Sequence, residues 1–262
     1  MSIKRLGSIF RRPMSVGQAV MDDNRKLVQD IERRGFLRGT LSLGSLVMLT
    51  GCDAGHEGSV QSALRAVSEF NDAVQAALFR PDHLAPTYPA DQVAMPPRFN
   101  AFYPRADVRP VAASTWKLEL AGRVSDKKAW TVDEIWSEPH REMIIKHICV
   151  EGWDYVGQWS GVPLRRFLEK IGADTRARYV AFKCADDYTG SIDMATALHP
   201  QTLLATHYAG KPLEDPFGFP LRLRTATKLG YKNPKWITAI EVTNEKPGGF
   251  WEDRGFNWFG GI

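Results

Sequence analysis

The sequence predicts an α+β domain of mixed sheets and short helices, which follows an N-terminal leader and one longer helix. Short runs with strand-like apolar patterns recur beyond residue 110, and short helical segments alternate with them without a long linker. The apolar share of 44% in 262 residues is enough to bury one sizeable core. No internal repeat or low-complexity segment interrupts this pattern. We therefore expect one catalytic-sized domain after the leader.

The individual elements follow from local patterns. Residues 59–80 carry apolar side chains at three- and four-residue spacing, which predicts an amphipathic helix that ends before Pro81. Further along, TWKLELAG, EMIIKHICV and RYVAFKCA have strand-like patterns, and TVDEIWSE opens like a capped helix. PLRRFLEKIGA has a proline near its start and a glycine near its end, as helices often do. Residues 81–110 contain seven prolines among aromatic residues and predict irregular but ordered chain.

The positive charge of the chain is concentrated at its N-terminus. Residues 1–52 hold nine Lys or Arg and four Asp or Glu, a net charge of +5. Since the whole chain carries +4, about −1 is left for the remainder. The bulk charge of the folded part therefore gives no reason to expect a nucleic-acid partner.

In the same N-terminal region, basic residues are followed by an apolar run, which is the order found in an export signal. Paired arginines, Arg33 and Arg34, precede a mildly apolar run over residues 41–50 that is too short to span a bilayer. The hexapeptide RRGFLR resembles the twin-arginine signal, whose route carries folded and often cofactor-loaded proteins. LTGC resembles a lipobox, which would make Cys52 a lipidated N-terminus at the inner membrane. An uncleaved leader with a chance cysteine is the alternative, and Met21 is a second candidate start.

These features predict three regions and a location. Residues 1–52 are expected to form the export leader, residues 53–96 an amphipathic helix and proline-rich lead-in, and residues 97–262 the catalytic domain. We expect the mature protein in the periplasm, either free or lipid-anchored.

Two cysteines lie outside the leader, Cys149 and Cys184, each at the end of a strand-like run. In an exported protein they could form a disulfide, and each could equally be a small buried core residue. Neither has a second cysteine at zinc-site spacing, and the chain contains no C-x-x-C-H for a c-type haem. A Cys-His hydrolase would need His199 or His207, but no local signature supports it.

The flanks of Cys149 carry a family resemblance. The stretch CVEGWDYVGQWSGVPLRRFLEKIGADTRARYVAFKCADD resembles the molybdopterin-binding domain of the sulfite oxidase family, especially its single-domain bacterial branch of methionine sulfoxide reductase catalytic subunits. The resemblance extends from about residue 97 to the C-terminus. It implies that Cys149 is the catalytic cysteine, which gives a thiolate to molybdenum. A soft thiolate suits such a redox metal, and the metal itself keeps the sulfur deprotonated.

The resemblance also implies residues that bind the pterin. FNAFYP is similar to an N-x-F-Y segment, which makes Asn100 and Tyr103 candidates. Pro104 stands where the family has a glutamate, so only its backbone could serve. Cys184 falls where the relatives have a pterin-contacting threonine, and a thiol is a weaker hydrogen-bonding partner.

A downstream segment, PLRLRTATKLGYKNPKWITAIEV, continues the resemblance. It implies that Arg222 is a cofactor-binding arginine and that Asn233, Pro234 and Lys235 form the loop at the phosphate end of the cofactor. Phe217 replaces a cofactor-binding asparagine. From the residues alone, this basic run could surround a phosphate, although such runs more commonly form a solvated basic face.

The function that the resemblance implies is two-electron oxygen-atom transfer by an exported molybdenum-cofactor oxidoreductase. Reduction of an S-oxide or similar neutral oxide is favoured over sulfite oxidation, because the recognisable arginines are assigned to the cofactor rather than to an anionic substrate. Electrons would come from a cytochrome, a membrane b-type cytochrome if Cys52 is lipidated. A monomer is expected, because the chain ends without the immunoglobulin-like dimerisation domain of longer sulfite oxidases. The alternative from another class is a metal-free lipoprotein that uses the fold as a binding module.

Overall fold

The computed structural model describes residues 57–262, with side chains from residue 64 onward. The twin-arginine motif, the lipobox and Cys52 lie outside the described residues. The chain divides into two compact units between Phe79 and Arg80. In the first unit, helix α1 (Glu57–Leu78) begins and ends two residues earlier than the helix expected over 59–80. Among the described residues, no helix combines the length and the apolar character that a bilayer crossing requires.

The second unit is built on two sheets. In chain order its strands are β1 (Lys117–Gly122), β2 (Trp130–Thr131), β3 (Arg141–Ile148), β4 (Asp154–Pro163), β5 (Tyr179–Cys184), β6 (Thr189–Asp193), β7 (Thr202–Tyr208), β8 (Lys211–Pro212), β9 (Arg222–Thr225) and β10 (Ile237–Thr243). One sheet has the order β2-β1-β10-β5-β6, in which only the β1–β10 pair is parallel. The other has the order β3-β4-β7-β8, and β9 also pairs with β7. The predicted α+β class is confirmed.

Short helices connect some of these strands, namely α2 (Val132–Trp136), α3 (Leu164–Lys170) and α4 (Met194–Ala197). Helix α2 begins with the cap that its sequence predicts. The hydroxyl of Thr131 accepts from the Glu134 amide, and the Glu134 carboxylate accepts from the Thr131 amide at 2.8 Å. This reciprocal pair satisfies two amides that a helix start otherwise leaves open.

Two apolar cores are buried in this unit. The first contains Leu118, Phe182 and Ile240 of one sheet together with Leu204 and Leu223 of the other. The second contains Ile145 and Trp159 of the sheet that includes β3 and β4. The alternation of buried and partly exposed residues along β3 and β4 follows from the two-residue period of a strand.

Close strand contact in the second sheet requires a glycine. At Gly161 the β4–β7 register shifts, and a Cβ there would lie 2.1 Å from the carbonyl oxygen of Leu204. Only a residue without a side chain fits this approach.

The strand ends place the sequence-predicted residues near one another. Cys149 follows β3 directly, and Cys184 is the last residue of β5, where it pairs with Ile237 at the start of β10. The loop that contains Lys235 and Trp236 therefore runs beside the end of β5. Residues 81–110 contain two short 3-10 turns, Ala90–Gln92 and Arg105–Asp107, within otherwise irregular chain, as expected.

Candidate cofactor-binding site

A cavity of about 360 Å³ opens where these segments meet. Its walls come from the stretch before the 3-10 turn at Arg105, the turn after β3, the turn after β5 and the loop before β10. Seven of the predicted site residues line it: Asn100, Tyr103, Pro104, Cys149, Asn233, Pro234 and Lys235. The structure thus brings together residues that are up to 135 positions apart in the chain.

Cys149 is held by a tight turn at one wall of the cavity. Its amide donates to the carbonyl of Trp153 at 2.9 Å, and the Gly152 amide donates back to the Cys149 carbonyl at 3.1 Å. Gly152 has a φ of 87°, a conformation that glycine adopts at little cost. This closed turn fixes the backbone on which the thiol is presented.

The Cys149 thiol is a protonated group in its own surroundings. Its Sγ lies 3.8 Å from Oε2 of Glu151. Burial raises the pKa of Cys149, and the neighbouring Glu151 carboxylate contributes in the same direction. A free thiolate nucleophile needs a lowered pKa, so the site lacks the activation that a thiol hydrolase would require. A bound cation would reverse this by holding the sulfur deprotonated.

The structure supports neither a disulfide nor a hydrolase role for the two cysteines. Cys149 and Cys184 are both buried free thiols, so the disulfide considered from the sequence does not form. His199 is bonded to the carbonyl of His83 and to the Gln201 amide, and Nδ1 of His207 contacts the Thr206 hydroxyl. Cys149 has no histidine among the hydrogen-bond partners that the described residues provide.

The predicted pterin-binding segment and the predicted phosphate-end loop are joined by a buried lysine. Nζ of Lys235 donates to the carbonyl oxygen of Asn100, at 2.5 Å. Nearby, the Tyr103 hydroxyl donates to Oδ2 of Asp186 at 2.9 Å. Hydrogen bonds therefore connect the segment that contains Asn100 and Tyr103 both to the loop before β10 and to the turn after β5.

A cluster of buried positive charge is made of Lys235, which lines the cavity, and of Arg222 and Arg224, which do not. All three are less than a tenth exposed, and none forms a salt bridge with a carboxylate of the described residues. By contrast, Lys228 and Lys232 in the same region pair with Asp193 and Glu252. Burial lowers the pKa of Lys235 well below its usual value, and the charge of Arg222 adds to that effect.

This cluster fits an anionic group. Burying a charge without a partner is costly, and a phosphate or a dithiolate would supply the missing negative charge. The Nε atoms of both Arg222 and Arg224 are buried without a hydrogen-bond partner in the part of the chain that the structure describes. The donor set, together with a thiol in the adjoining cavity, matches the chemistry of a phosphate-bearing pterin with a thiolate-ligated metal.

Two predicted residues are not at the cavity surface. Arg222 is buried, donates from Nη1 to the Phe217 carbonyl at 2.8 Å, and stands 4.7 Å from the Trp159 ring centroid. Cys184 is buried at the end of β5. Phe217, which replaces the family's asparagine, is itself packed in the second core.

The cavity also contains charged residues that sequence reasoning missed. Arg98 and Arg105 line it on one side, and Glu151 and Asp186 are its acidic residues. Arg98 lies over the Trp153 ring at 4.3 Å, while Trp153 donates to Glu151 at 2.7 Å. Glu151 belongs to the C-V-E-x-W motif and could have been found from it, whereas Asp186 has no signal beyond its place at the end of a strand.

His147 packs beneath Gly230, one of the residues that line the cavity. It is 1% exposed, and neither ring nitrogen has a hydrogen-bond partner among the described residues. Burial lowers the pKa of His147 well below its usual value, and Arg224 and Arg222 add to this effect. A Cβ on Gly230 would come within 2.8 Å of Nε2 of His147. The loop that carries Gly230 therefore rests directly on a neutral imidazole.

Comparisons with known proteins agree with this chemistry. The family model described as the oxidoreductase molybdopterin binding domain matches residues 105–251. A protein of Azospira oryzae, provisionally named a protein-methionine-sulfoxide reductase subunit, is 54% identical over 239 residues, which are 91% of each chain. The protein-methionine-sulfoxide reductase catalytic subunit of Xanthomonas campestris pv. campestris is 32% identical over 179 residues, covering 59% of this chain and 56% of that one.

A solved structure shows the same fold. The sulfane dehydrogenase SoxCD from Paracoccus pantotrophus aligns with a TM-score of 0.50 over 53% of this chain and 40% of that chain, at 17% identity. At that identity the likeness concerns the fold alone.

Proposed function

Because the chain belongs to the family of molybdopterin-binding oxidoreductases, we propose that it reduces an S-oxide by two-electron oxygen-atom transfer on a molybdenum cofactor. The observation that carries the proposal is the position of the Cys149 thiol, in a cavity backed by buried cations that have no carboxylate partner among the described residues. A thiolate ligand at the metal end and cations at the phosphate end are the two requirements of such a cofactor.

Each group of residues has a distinct part in holding the cofactor. Cys149 supplies the thiolate to molybdenum. Arg222 and Lys235 provide positive charge, and Asn233 and Pro234 shape the loop at the phosphate end. Asn100, Tyr103 and the backbone of Pro104 border the pterin. When bound, the cofactor supplies the oxygen-atom and electron transfer chemistry, and the protein supplies orientation and electrostatics.

The acidic residue beside the Cys149 sulfur favours a neutral oxide as substrate. Glu151 stands 3.8 Å from the Cys149 sulfur, and Asp186 also lines the cavity. A carboxylate next to the Cys149 sulfur repels an anion such as sulfite and does not repel a neutral oxide, and the cationic Arg98, Arg105 and Lys235 lie elsewhere in the lining. The names of the relatives, which are methionine sulfoxide reductase subunits, support the same substrate class.

The proposal also includes the electron donor and the cellular location of the protein. The two electrons come from a cytochrome, because the sequence has no haem-attachment motif of its own. The protein is exported by the twin-arginine route to the periplasm, where Cys52 anchors it to the inner membrane. Changing Cys52 to Ala should move the protein from the membrane fraction to the soluble fraction, and unchanged fractionation would refute the anchor.

The activity is tested with cofactor-loaded protein and an artificial viologen electron donor. We expect methionine sulfoxide to be consumed and methionine formed, with little oxidation of sulfite when an electron acceptor is supplied instead. Cys149→Ala is the matched control and should lose turnover while the pterin stays bound. Sulfite turnover that exceeds methionine sulfoxide turnover would refute the substrate assignment, and full activity in Cys149→Ala would refute the metal ligand.

A further inference from the structure

The turn after β5 presents a carboxyl group to the cavity. Asp186 is half-buried and lines the same cavity as Cys149. The turn is closed by two backbone hydrogen bonds, from the Cys184 amide to the Tyr188 carbonyl at 3.0 Å and from the Asp187 amide to the Cys184 carbonyl at 3.3 Å. Asp187 takes a φ of 64°, which reverses the chain directly after Asp186.

Both oxygens of the Asp186 carboxyl are held in place. Oδ2 accepts from the Tyr103 hydroxyl at 2.9 Å, and Oδ1 accepts from the Tyr188 amide at 3.3 Å. Tyr103 belongs to a segment 83 positions away in the chain, so the carboxyl lies where two segments of the cavity lining meet. A group held from both sides has little freedom to turn away from the cavity.

The surroundings of Asp186 favour its protonated form. Burial raises the pKa of Asp186, although the hydrogen bonds from Tyr103 and Tyr188 and the charge of Lys235 act against the rise. The titratable and charged groups that face it are Tyr103 from the segment before the 3-10 turn at Arg105, Lys235 from the loop before β10, and Cys184 and Tyr188 from its own turn. Burial also raises the pKa values of Tyr103, Cys184 and Tyr188, so Asp186 is the strongest acid of this set.

The other acidic residue of the cavity has a different set of contacts. Oε2 of Glu151 accepts from Nε1 of Trp153 at 2.7 Å and lies beside the Cys149 sulfur. Glu151 therefore belongs to the turn that holds Cys149, whereas Asp186 belongs to the turn after β5.

We propose that Asp186 is a catalytic residue that donates a proton to the oxygen released from the substrate. This inference rests on the proposed S-oxide reduction. In that reaction a sulfoxide, two electrons and two protons give a sulfide and water. The S–O bond breaks, two O–H bonds form, and the electrons come from the cytochrome-class donor. Asp186 provides one of the two protons and regains it from solvent, to which its half-buried side chain has access.

The test compares Asp186→Asn with a neighbouring control, Asp187→Asn. Asp187 is exposed and lies outside the cavity lining, and asparagine tolerates its left-handed backbone. With methionine sulfoxide and a viologen donor, Asp186→Asn should lower kcat about 100-fold, the lower range for loss of a general acid, without a matching change in KM or cofactor content. The wild type should lose kcat as pH rises through the raised pKa of Asp186, and the Asn variant should lack that dependence.

A third variant separates chemistry from structure. Tyr103→Phe removes the hydrogen bond and keeps the carboxyl, so the pH dependence of kcat should persist there. Infrared spectra of the cofactor-free proteins should show a protonated carboxyl band in the wild type at mildly acidic pH, and Asp186→Asn should lack it.

Two results would overturn the inference. An Asp186→Asn variant with wild-type kcat and pH profile would exclude proton donation while leaving S-oxide reduction intact. A loss of kcat that only follows a loss of bound cofactor would make the residue structural. A fully loaded wild type that reduces no S-oxide would instead overturn the proposed function, and this inference with it.

Discussion

Arg224 on β9 donates from Nη2 to the carbonyl oxygen of Lys146 on β3, at 2.7 Å. The same guanidinium donates from Nη1 to Oδ1 of Asn233 at 2.9 Å. One buried side chain therefore connects the strand that directly precedes Cys149 with the loop at the proposed phosphate end. Burial lowers the pKa of Arg224 to about 9, and the adjacent charge of Arg222 acts in the same direction.

Removal of this connection should weaken the fold. We expect Arg224→Met to lower the free energy of unfolding by about 2 kcal/mol, because the Lys146 carbonyl and the Asn233 side chain lose a buried donor. Urea denaturation of the cofactor-free protein measures this. Arg141→Met, at an exposed position at the start of β3, is the control and should change stability by less than about 0.5 kcal/mol. Equal effects of the two substitutions would contradict the structural role of Arg224.

Arg222 should matter more to the loaded protein than to the cofactor-free one. Arg222→Met removes a buried charge that has no carboxylate partner among the described residues, and relief of the cost of burying that charge offsets the loss of its hydrogen bond to the Phe217 carbonyl. We therefore expect a small change in the Tm of the cofactor-free protein and a smaller rise in Tm on loading than in the wild type. An undiminished rise on loading would show that Arg222 does not contribute to cofactor binding.

Gly230 should not tolerate even a methyl group. Its added Cβ would come within 2.8 Å of the His147 ring, which is buried and cannot move aside. We expect Gly230→Ala to cost about 1–3 kcal/mol, the usual range for overpacking, and to reduce cofactor loading. His147→Ala combined with Gly230→Ala makes room for the methyl group, so the two costs should add to more than the double variant shows. If the stability losses of the two single variants sum to that of the double variant, the contact between residue 230 and His147 is contradicted.

The Asp193–Lys228 pair predicts a loss of stability in acid. Burial alone would raise the pKa of Asp193, but the Lys228 ammonium and the hydrogen bonds from Thr196 lower it overall. A carboxyl with a lowered folded-state pKa stabilises the protein above its unfolded pKa of about 3.9, and this stabilisation is lost as pH falls through the folded value.

The difference in unfolding free energy between wild type and Asp193→Asn should therefore be largest near neutral pH and shrink below about pH 4. Urea titrations at several pH values measure it. Asp187→Asn serves as the exposed control. A difference that stays constant from neutral pH to strongly acidic pH would rule out the ion pair as its source.

Local patterns predicted the elements well, because each depends on neighbouring residues. Helix α1 follows from apolar spacing, α2 from its Thr131 cap, and β3 and β5 from their apolar runs. Strand pairing did not follow from the sequence. The parallel contact of β1 with β10 joins residues about 120 positions apart, and no local pattern encodes such a partner.

Only some residues of the candidate site could be predicted, because the others depend, like strand pairing, on contacts between distant segments. Residues within motifs, such as Cys149 and Lys235, could be identified by resemblance, and both line the cavity. Arg98, Arg105 and Asp186 lie in loops without a motif, and their presence at the cavity depends on how distant segments converge. The free state of Cys184 also required the structure, because spacing alone left a disulfide open.

The central claim, that Cys149 lies at a molybdenum centre, is tested most directly by metal content. The protein is purified from a host that makes molybdopterin, and its molybdenum is measured by elemental mass spectrometry together with its pterin. We expect about one molybdenum per chain, a stoichiometry set by the single Cys149 ligand position. Well-folded protein from such a host that contains neither molybdenum nor pterin would contradict the account.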